Sequence, residues 1–250
     1  MVTIYPEERI DHLLSADLAI IQSNEVFSFS LDALFLAHFA QIPPRFGVKI
    51  LDLCAGNGAV TMLIAAKTKS QVMGIELQER LVNMACRSVE MNHMSNQVQV
   101  VTHDIRQLDQ LIDADSVDII TCNPPYFEVS GENKLNPNPY KAIARHEKYL
   151  TMEEFIPQIS RVLKVGGRAN IVHRPERFLE MIDLLREYRL TPKKIQFVYP
   201  KKDREAKMML VEAMKDGKQQ GLKLLPPLFI HDDEGNYLPE VREIIYGSQR

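Results

Sequence analysis

Tryptophan is absent from this 250-residue chain, aromatic residues make up 7% of it, and cysteine occurs three times. The cysteines (Cys54, Cys86 and Cys122) are odd in number, widely spaced and set among apolar neighbours. They read as reduced cytosolic thiols and supply neither a disulfide framework nor a metal-ligand cluster. Long hydrophobic runs are missing too. The longest clean stretch, around 59–66, is far short of the roughly 20 residues that span a bilayer. The first residues carry Glu7, Glu8 and Asp11 and no uninterrupted apolar core, so they do not read as a secretory signal. There is no charge excess: 30 basic residues face 33 acidic ones, for a net −3. A nucleic-acid partner must therefore meet a local basic patch, because the global field will not attract it. His103, His146 and His173 show no ligand spacing, so no metal is expected. What remains is 45% hydrophobic and 25% charged, which excludes intrinsic disorder and suits one large α/β domain or two small ones. A cytoplasmic protein without membrane contact is expected.

The period of the apolar residues switches repeatedly between strand-like and helix-like. Strands are predicted over 48–53, 71–76, 97–102, 116–122 and 168–173, with helices over 59–67, 79–92 and 151–165, the last closed by Gly166-Gly167. Pro175 suits the first turn of one more helix. The strands predicted at 195–199 and 207–213 have no helix between them, which implies an antiparallel hairpin at a sheet edge. The expected fold is α/β: a Rossmann-like, doubly wound, mainly parallel seven-stranded sheet with that hairpin at its edge. Residues 127–140, rich in Asn, Pro and Gly, read as a functional or mobile loop after the fourth strand, where such sheets place their ligands.

The first strand runs into Asp52-Leu53-Cys54-Ala55-Gly56-Asn57-Gly58. Glycines at a strand-to-helix turn let the backbone pass close to a ligand. Asp52 makes a pyrophosphate a poor fit there and a ligand carrying an ammonium group a good one. S-adenosylmethionine has that ammonium and no phosphate. Glu76, ending the second strand, is placed to accept both ribose hydroxyls of an adenosine. Asp104, after the third, is placed to accept from the adenine amino group. Taken singly, each acid also reads as a structural cap or turn residue. Three acids at three successive strand ends, with the glycines between them, read jointly as a cofactor site. Cys54, Leu77 and Ile105 join its expected lining. This arrangement resembles the class I S-adenosylmethionine-dependent methyltransferases from about Val48 to Ala213.

The fourth strand ends in Asn123-Pro124-Pro125-Tyr126. Two prolines stiffen the backbone and leave its carbonyls free. The Asn123 side-chain carbonyl and the Pro124 backbone carbonyl can then both accept from one planar NH2 group, drawing its lone pair out of conjugation. Catalysis of this kind rests on orientation and electrostatics. Tyr126 offers a face for a flat base, and a rigid turn with a core tyrosine is the structural alternative. The motif resembles the signature of methyltransferases acting on sp2 exocyclic or amide nitrogens.

Glu8–Leu14, Gln22 and the stretch 27–39 with Asp32 resemble the opening segment of bacterial tRNA(Val) (adenine-N6)-methyltransferases. That resemblance implies residues 1–46 packing over the site, a methyltransferase domain at 47–250, and Asp32 near the methionine end of the cofactor. Asp32 reads equally as the N-cap of a helix over 33–41. The implied substrate is an adenosine beside the anticodon of a tRNA. Pro125, Phe127, Lys201, Lys202 and Arg204 are expected to contact RNA, with Lys193, Lys194 and Lys207 in the same basic run. A second basic group comprises Lys134, Lys141, Arg145, His146 and Lys148, with Tyr140 and Tyr149 nearby. Protein glutamine-N5 methylation, rRNA guanine-N2 methylation and a catalytically silent RNA-binding protein remain open alternatives.

Overall fold

A computed structural model describes residues 2–26, 28–126 and 150–247. The chain opens with an antiparallel hairpin of β1 (Glu8–Leu13) and β2 (Leu18–Ser23), followed by α1 (Leu31–Phe39). Strands β3 (Ile50–Leu53), β4 (Val72–Glu76), β5 (Val98–Thr102) and β6 (Val117–Cys122) alternate with helices α2 (Ala59–Ala65) and α3 (Glu79–Met91). After the undescribed stretch come α4 (Met152–Val162), β7 (Leu163–His173), α5 (Phe178–Glu187), β8 (Leu190–Tyr199) and β9 (Met208–Lys215). Two short strands, β10 (Lys223–Leu224) and β11 (Leu228–Phe229), and a last helix α6 (Pro239–Tyr246) complete the described fold.

Across the main sheet the order is β10-β8-β9-β7-β6-β3-β4-β5, with β11 also beside β8. Strands β5, β4, β3, β6 and β7 run parallel, and β9 runs against both β7 and β8. Two reversals restore the original direction, so β8 ends at the same edge as β6 and β7. All four residues of β3 are buried, as expected of a strand covered on both faces. Ile50 joins the apolar layer under α1, α2, α3 and α6, while Leu51 and Leu53 join the layer under α4 and α5.

Thr151 and Glu154 form a capping box at the start of α4, with the Thr151 N–H donating to Glu154 Oε2 at 2.9 Å. This satisfies two otherwise orphaned donors. The helix stops at Val162, short of the glycine pair. Gly166 and Gly167 instead lie inside β7, where the register against β6 jumps from Val117↔Leu163 to Ile119↔Arg168. A Cβ on Gly167 would meet the Lys164 carbonyl oxygen at 2.8 Å and that of Asp118 at 3.1 Å. The glycines thus make a bulge in a strand rather than the expected helix stop.

Among the described residues the sheet holds nine strands rather than seven, because β10 and β11 pair in parallel with β8 and cover the expected open edge. The N-terminal hairpin was not legible as strands. Side chains of α3 satisfy the backbone of β2: Ser88 Oγ accepts the Ile21 N–H at 2.9 Å, and Asn92 pairs both backbone groups of Ala19 at 2.9 and 2.6 Å. Arg87 clasps Glu8 at 2.6 and 2.7 Å. At the other end of the chain, Val241 and Ile244 of α6 are buried in the apolar layer that includes α1.

Candidate active site

The carboxyl edge of the sheet opens into a cavity of about 410 Å3. Its floor is the turn after β3, where Cys54, Gly56 and Gly58 have φ of 57°, 55° and 86°. Only the two glycines adopt this left-handed backbone cheaply. Their duties differ. A Cβ on Gly56 would meet nothing within 4 Å, whereas one on Gly58 would lie 3.1 Å from the Ala85 Cβ. Gly56 therefore faces the cavity, and Gly58, absent from its lining, lets α2 approach α3.

Glu76 is buried and lines the cavity. Its carboxylate accepts from the Gly56 N–H and the Gln78 N–H, each at 2.9 Å. Burial pushes its pKa up, and the N–H groups of Gln78, Gly56 and Leu77 oppose that. Each oxygen keeps a further lone pair for a ligand hydroxyl. Asp104 also lines the cavity, held by Arg106 at 2.6 Å, and the pairing with Arg106 keeps its carboxyl below the usual range. Leu77 and Ile105 stand beside these acids and give the pocket apolar walls. No lysine or arginine lines this end of the cavity among the described residues. A neutral nucleoside carrying a diol and an amino group suits it, and a phosphate does not.

Asp52 lies elsewhere than expected. It is 1% exposed and does not line the cavity; Thr61 and Thr121 donate to its two oxygens at 2.6 and 2.7 Å. Burial raises its pKa to about 6 despite both hydrogen bonds. Contrary to the expectation from sequence, a ligand's ammonium in this cavity does not meet Asp52. The structure brings to the cavity another acid, Asp32, in the first turn of α1. Ser30, not Asp32, is the N-cap residue of that helix.

At the end of β6, Asn123, Pro124, Pro125 and Tyr126 all line the same cavity as Gly56. The Tyr126 hydroxyl donates to Asn123 Oδ1, and it also lies within hydrogen-bonding reach of Asp32. Burial, then the charge of Asp32, pushes the tyrosine hydroxyl well above its usual range. The ring meets the buried His173 edge-on, with centroids 5.4 Å apart at 72°. Asp32 itself is raised by burial, against the nearby Tyr126 hydroxyl and the attraction of Arg174. Cys54 lines the floor and lies against Cys122, and that contact with burial raises its thiol well above the usual range. All three cysteines are free.

Several lining residues carry no functional signal in the sequence, among them Gln78, Leu150 and Arg174. Phe29 is set by its N–H donating to Gln22 Oε1 at 3.0 Å, a contact across a turn that no local pattern encodes. Arg174 directly follows β7, and the parallel-sheet order would have pointed to that strand end.

The basic run divides in two. Lys201, Lys202 and Arg204 lie in the β8–β9 turn at the edge that carries Asn123. Lys201 Nζ donates to the Asp233 carbonyl at 3.0 Å. Lys193 and Lys194 lie within β8, about 20 Å back along the strand at roughly 3.3 Å per residue. Lys194 sits 3.0 Å from the buried Glu212 and over the Phe39 ring, so it serves the core. Phe127, Tyr140, Tyr149, the second basic group and the 127–140 loop lie outside the described residues. Among the described residues no cluster of His, Cys, Asp or Glu is placed to hold a metal, and no helix is long and apolar enough to cross a membrane.

Residues 45–216 match the methyltransferase domain family. Among curated relatives, the tRNA1(Val) (adenine(37)-N6)-methyltransferase of Dyadobacter fermentans is 25% identical over 239 residues, covering 94% of this chain and 95% of that one. The protein of the same name from Porphyromonas gingivalis is 27% identical over 194 residues, with 76% and 75% covered. Among solved structures, a predicted O-methyltransferase from Agrobacterium tumefaciens superposes with a TM-score of 0.67 at 24% identity, covering 86% and 96% of the two chains. A geranyl diphosphate methyltransferase in complex with S-adenosylmethionine gives 0.54 at 15% identity, covering 74% and 84%. The parallel strand order, the glycine turn under Glu76 and the family match agree: the chain belongs to the methyltransferase domain family and is a class I, S-adenosylmethionine-dependent methyltransferase.

Proposed function

We propose that this enzyme methylates the exocyclic N6 amine of an adenosine in RNA, in a tRNA beside the anticodon, in the cytoplasm. The observation that carries the reading is the placement of Asn123 and Pro124 in the same cavity as Gly56 and Glu76. A planar amine presented there has two carbonyl acceptors on one side and the donor site on the other. S-adenosylmethionine, when bound, supplies an electrophilic methyl group on a sulfonium. The Asn123 and Pro124 carbonyls orient the amine and polarise its two N–H bonds, so the nitrogen lone pair becomes available. N6 would gain the methyl group as the donor's S–CH3 bond breaks to leave a neutral thioether, and would give up one proton to solvent, so no buried base is needed to take it. Glu76 and Asp104 hold the donor's adenosine, and Leu77 and Ile105 flank it. Asp32 lies at the acceptor end, where a cationic ammonium can pair with it. Tyr126 provides the stacking face once its hydroxyl leaves Asn123.

The names of the curated relatives, shared over most of the chain at 24–27% identity, support the adenine-N6 choice over glutamine-N5 or guanine-N2. Pro125, Phe127, Lys201, Lys202 and Arg204 remain the proposed RNA contacts. The test is transfer of tritiated methyl groups to total RNA from a strain lacking the gene, followed by nucleoside analysis. A labelled N6-methyladenosine peak is expected. Label in guanosine, or in protein with unlabelled RNA, overturns the reading.

A further inference from the structure

Arg174 lines the cavity and has no part in the chemistry above. It follows β7, and the strand order places β7 beyond β6, on the side away from β3, β4 and β5. Neighbouring strands lie about 4.8 Å apart. The arginine therefore stems from a strand about 10 Å from β3, across Asn123 from the glycine turn. Glu76 and Asp104, which take the donor's adenosine, lie on the opposite side. Among the described residues that line the cavity it is the only arginine or lysine. Its side chain is 30% exposed, 3.7 Å from Glu176 and attracted to Asp32. Among the described residues the acceptor end thus has one part-buried planar cation, in a cavity whose other charged lining groups at neutral pH are the carboxylates of Asp32, Glu76 and Asp104.

A base turned out of its strand brings the phosphates of its own nucleotide to the mouth of the site. A guanidinium offers paired N–H donors that match a phosphate's oxygens. We propose that Arg174 binds the phosphodiester flanking the target adenosine and so holds that nucleotide at the site beside Asn123 and Tyr126. This rests on the RNA N6 reading. Arg174 binds and positions substrate and takes no part in proton or methyl movement. The competing anion is the carboxylate of the methyl donor, and the test separates the two.

Full-length tRNA is assembled with one neutral methylphosphonate linkage, either 5′ or 3′ of the adenosine that follows the anticodon. With the wild-type enzyme one of the two linkages raises the RNA KM by about tenfold or more, with kcat within about threefold. In Arg174→Gln the RNA KM rises similarly and the neutral linkage adds nothing further, while Arg174→Lys restores part of the affinity. Calorimetric S-adenosylmethionine affinity stays within about threefold throughout. A drop in donor affinity with RNA KM unchanged assigns Arg174 to the donor's carboxylate and overturns the proposal. Indifference of the wild-type enzyme to both linkages overturns it without any variant having to fold. Failure of the wild type to methylate any RNA removes the underlying reading and this proposal with it.

Discussion

The Tyr126 hydroxyl donates to the Asn123 side-chain carbonyl, the oxygen to which the proposed chemistry brings the target amine. The ring that stacks the base therefore starts out holding the amine's place. Tyr126→Phe frees that oxygen and keeps the stacking face, so the RNA KM stays within about threefold. Tyr126→Ala loses the face, worth roughly 1–3 kcal/mol, and raises KM by about tenfold or more. Asn123→Ala abolishes turnover while donor affinity stays within a few-fold. Steady-state kinetics with calorimetry checks all three; equal KM for the Phe and Ala variants removes stacking from the account.

Glu76 accepts a backbone N–H on each oxygen, from Gly56 and Gln78. Glu76→Gln must turn an NH2 group toward one of those donors, so the conservative change fails nearly as badly as Glu76→Ala. Both are expected to weaken S-adenosylmethionine binding by about tenfold or more, measured by titration calorimetry. Wild-type affinity in the glutamine variant contradicts the assignment.

Asp52 ionises near 3.8 when exposed and at about 6 in the fold. The folded protein holds this proton more tightly than the unfolded chain does. The resulting stabilisation is complete below pH 3.8 and is lost as pH rises through about 6, with a span of ~3 kcal/mol. Asp52→Asn does not titrate. Lowering the pH from 8 to 4 should therefore shift the stability difference toward the wild type by ~2.4 kcal/mol, most of that span, read from urea unfolding of both proteins. A difference that stays constant with pH refutes the buried, ionisable Asp52.

Charge reversal at Lys201, Lys202 and Arg204 should raise the RNA KM and flatten its dependence on salt. Lys194→Ala should leave both unchanged and lower thermal stability, because it strips a partner from the buried Glu212. Melting curves beside kinetics at two salt concentrations distinguish the two groups of lysines. Matching kinetic losses in both would restore the basic run as one surface.

The strand-turn-helix around Gly56 and the Asn123–Tyr126 turn were legible because each is a contiguous run with its own chemistry. Glu76 and Asp104 followed from strand ends. Asp52 was placed in the ligand's path because spacing gives a strand end but not which face a side chain takes; its partners Thr61 and Thr121 come from two other elements. Gly166-Gly167 has one local signal for two uses, a helix stop and a strand bulge, and register against β6 decides between them. The N-terminal hairpin escaped because its pairing is completed by Ser88 and Asn92 of α3, far along the chain. Arg174 carries no motif and becomes visible only when the strand order is known.

The wall formed by Phe29, Ser30, Asp32 and Ala33 rests on α1, and α1 shares its apolar layer with Val241 and Ile244 of α6. Two segments far apart in the sequence are thus braced against each other beside the cavity. Loosening α6 should therefore disturb the wall that carries Asp32, although no residue of α6 lines the cavity.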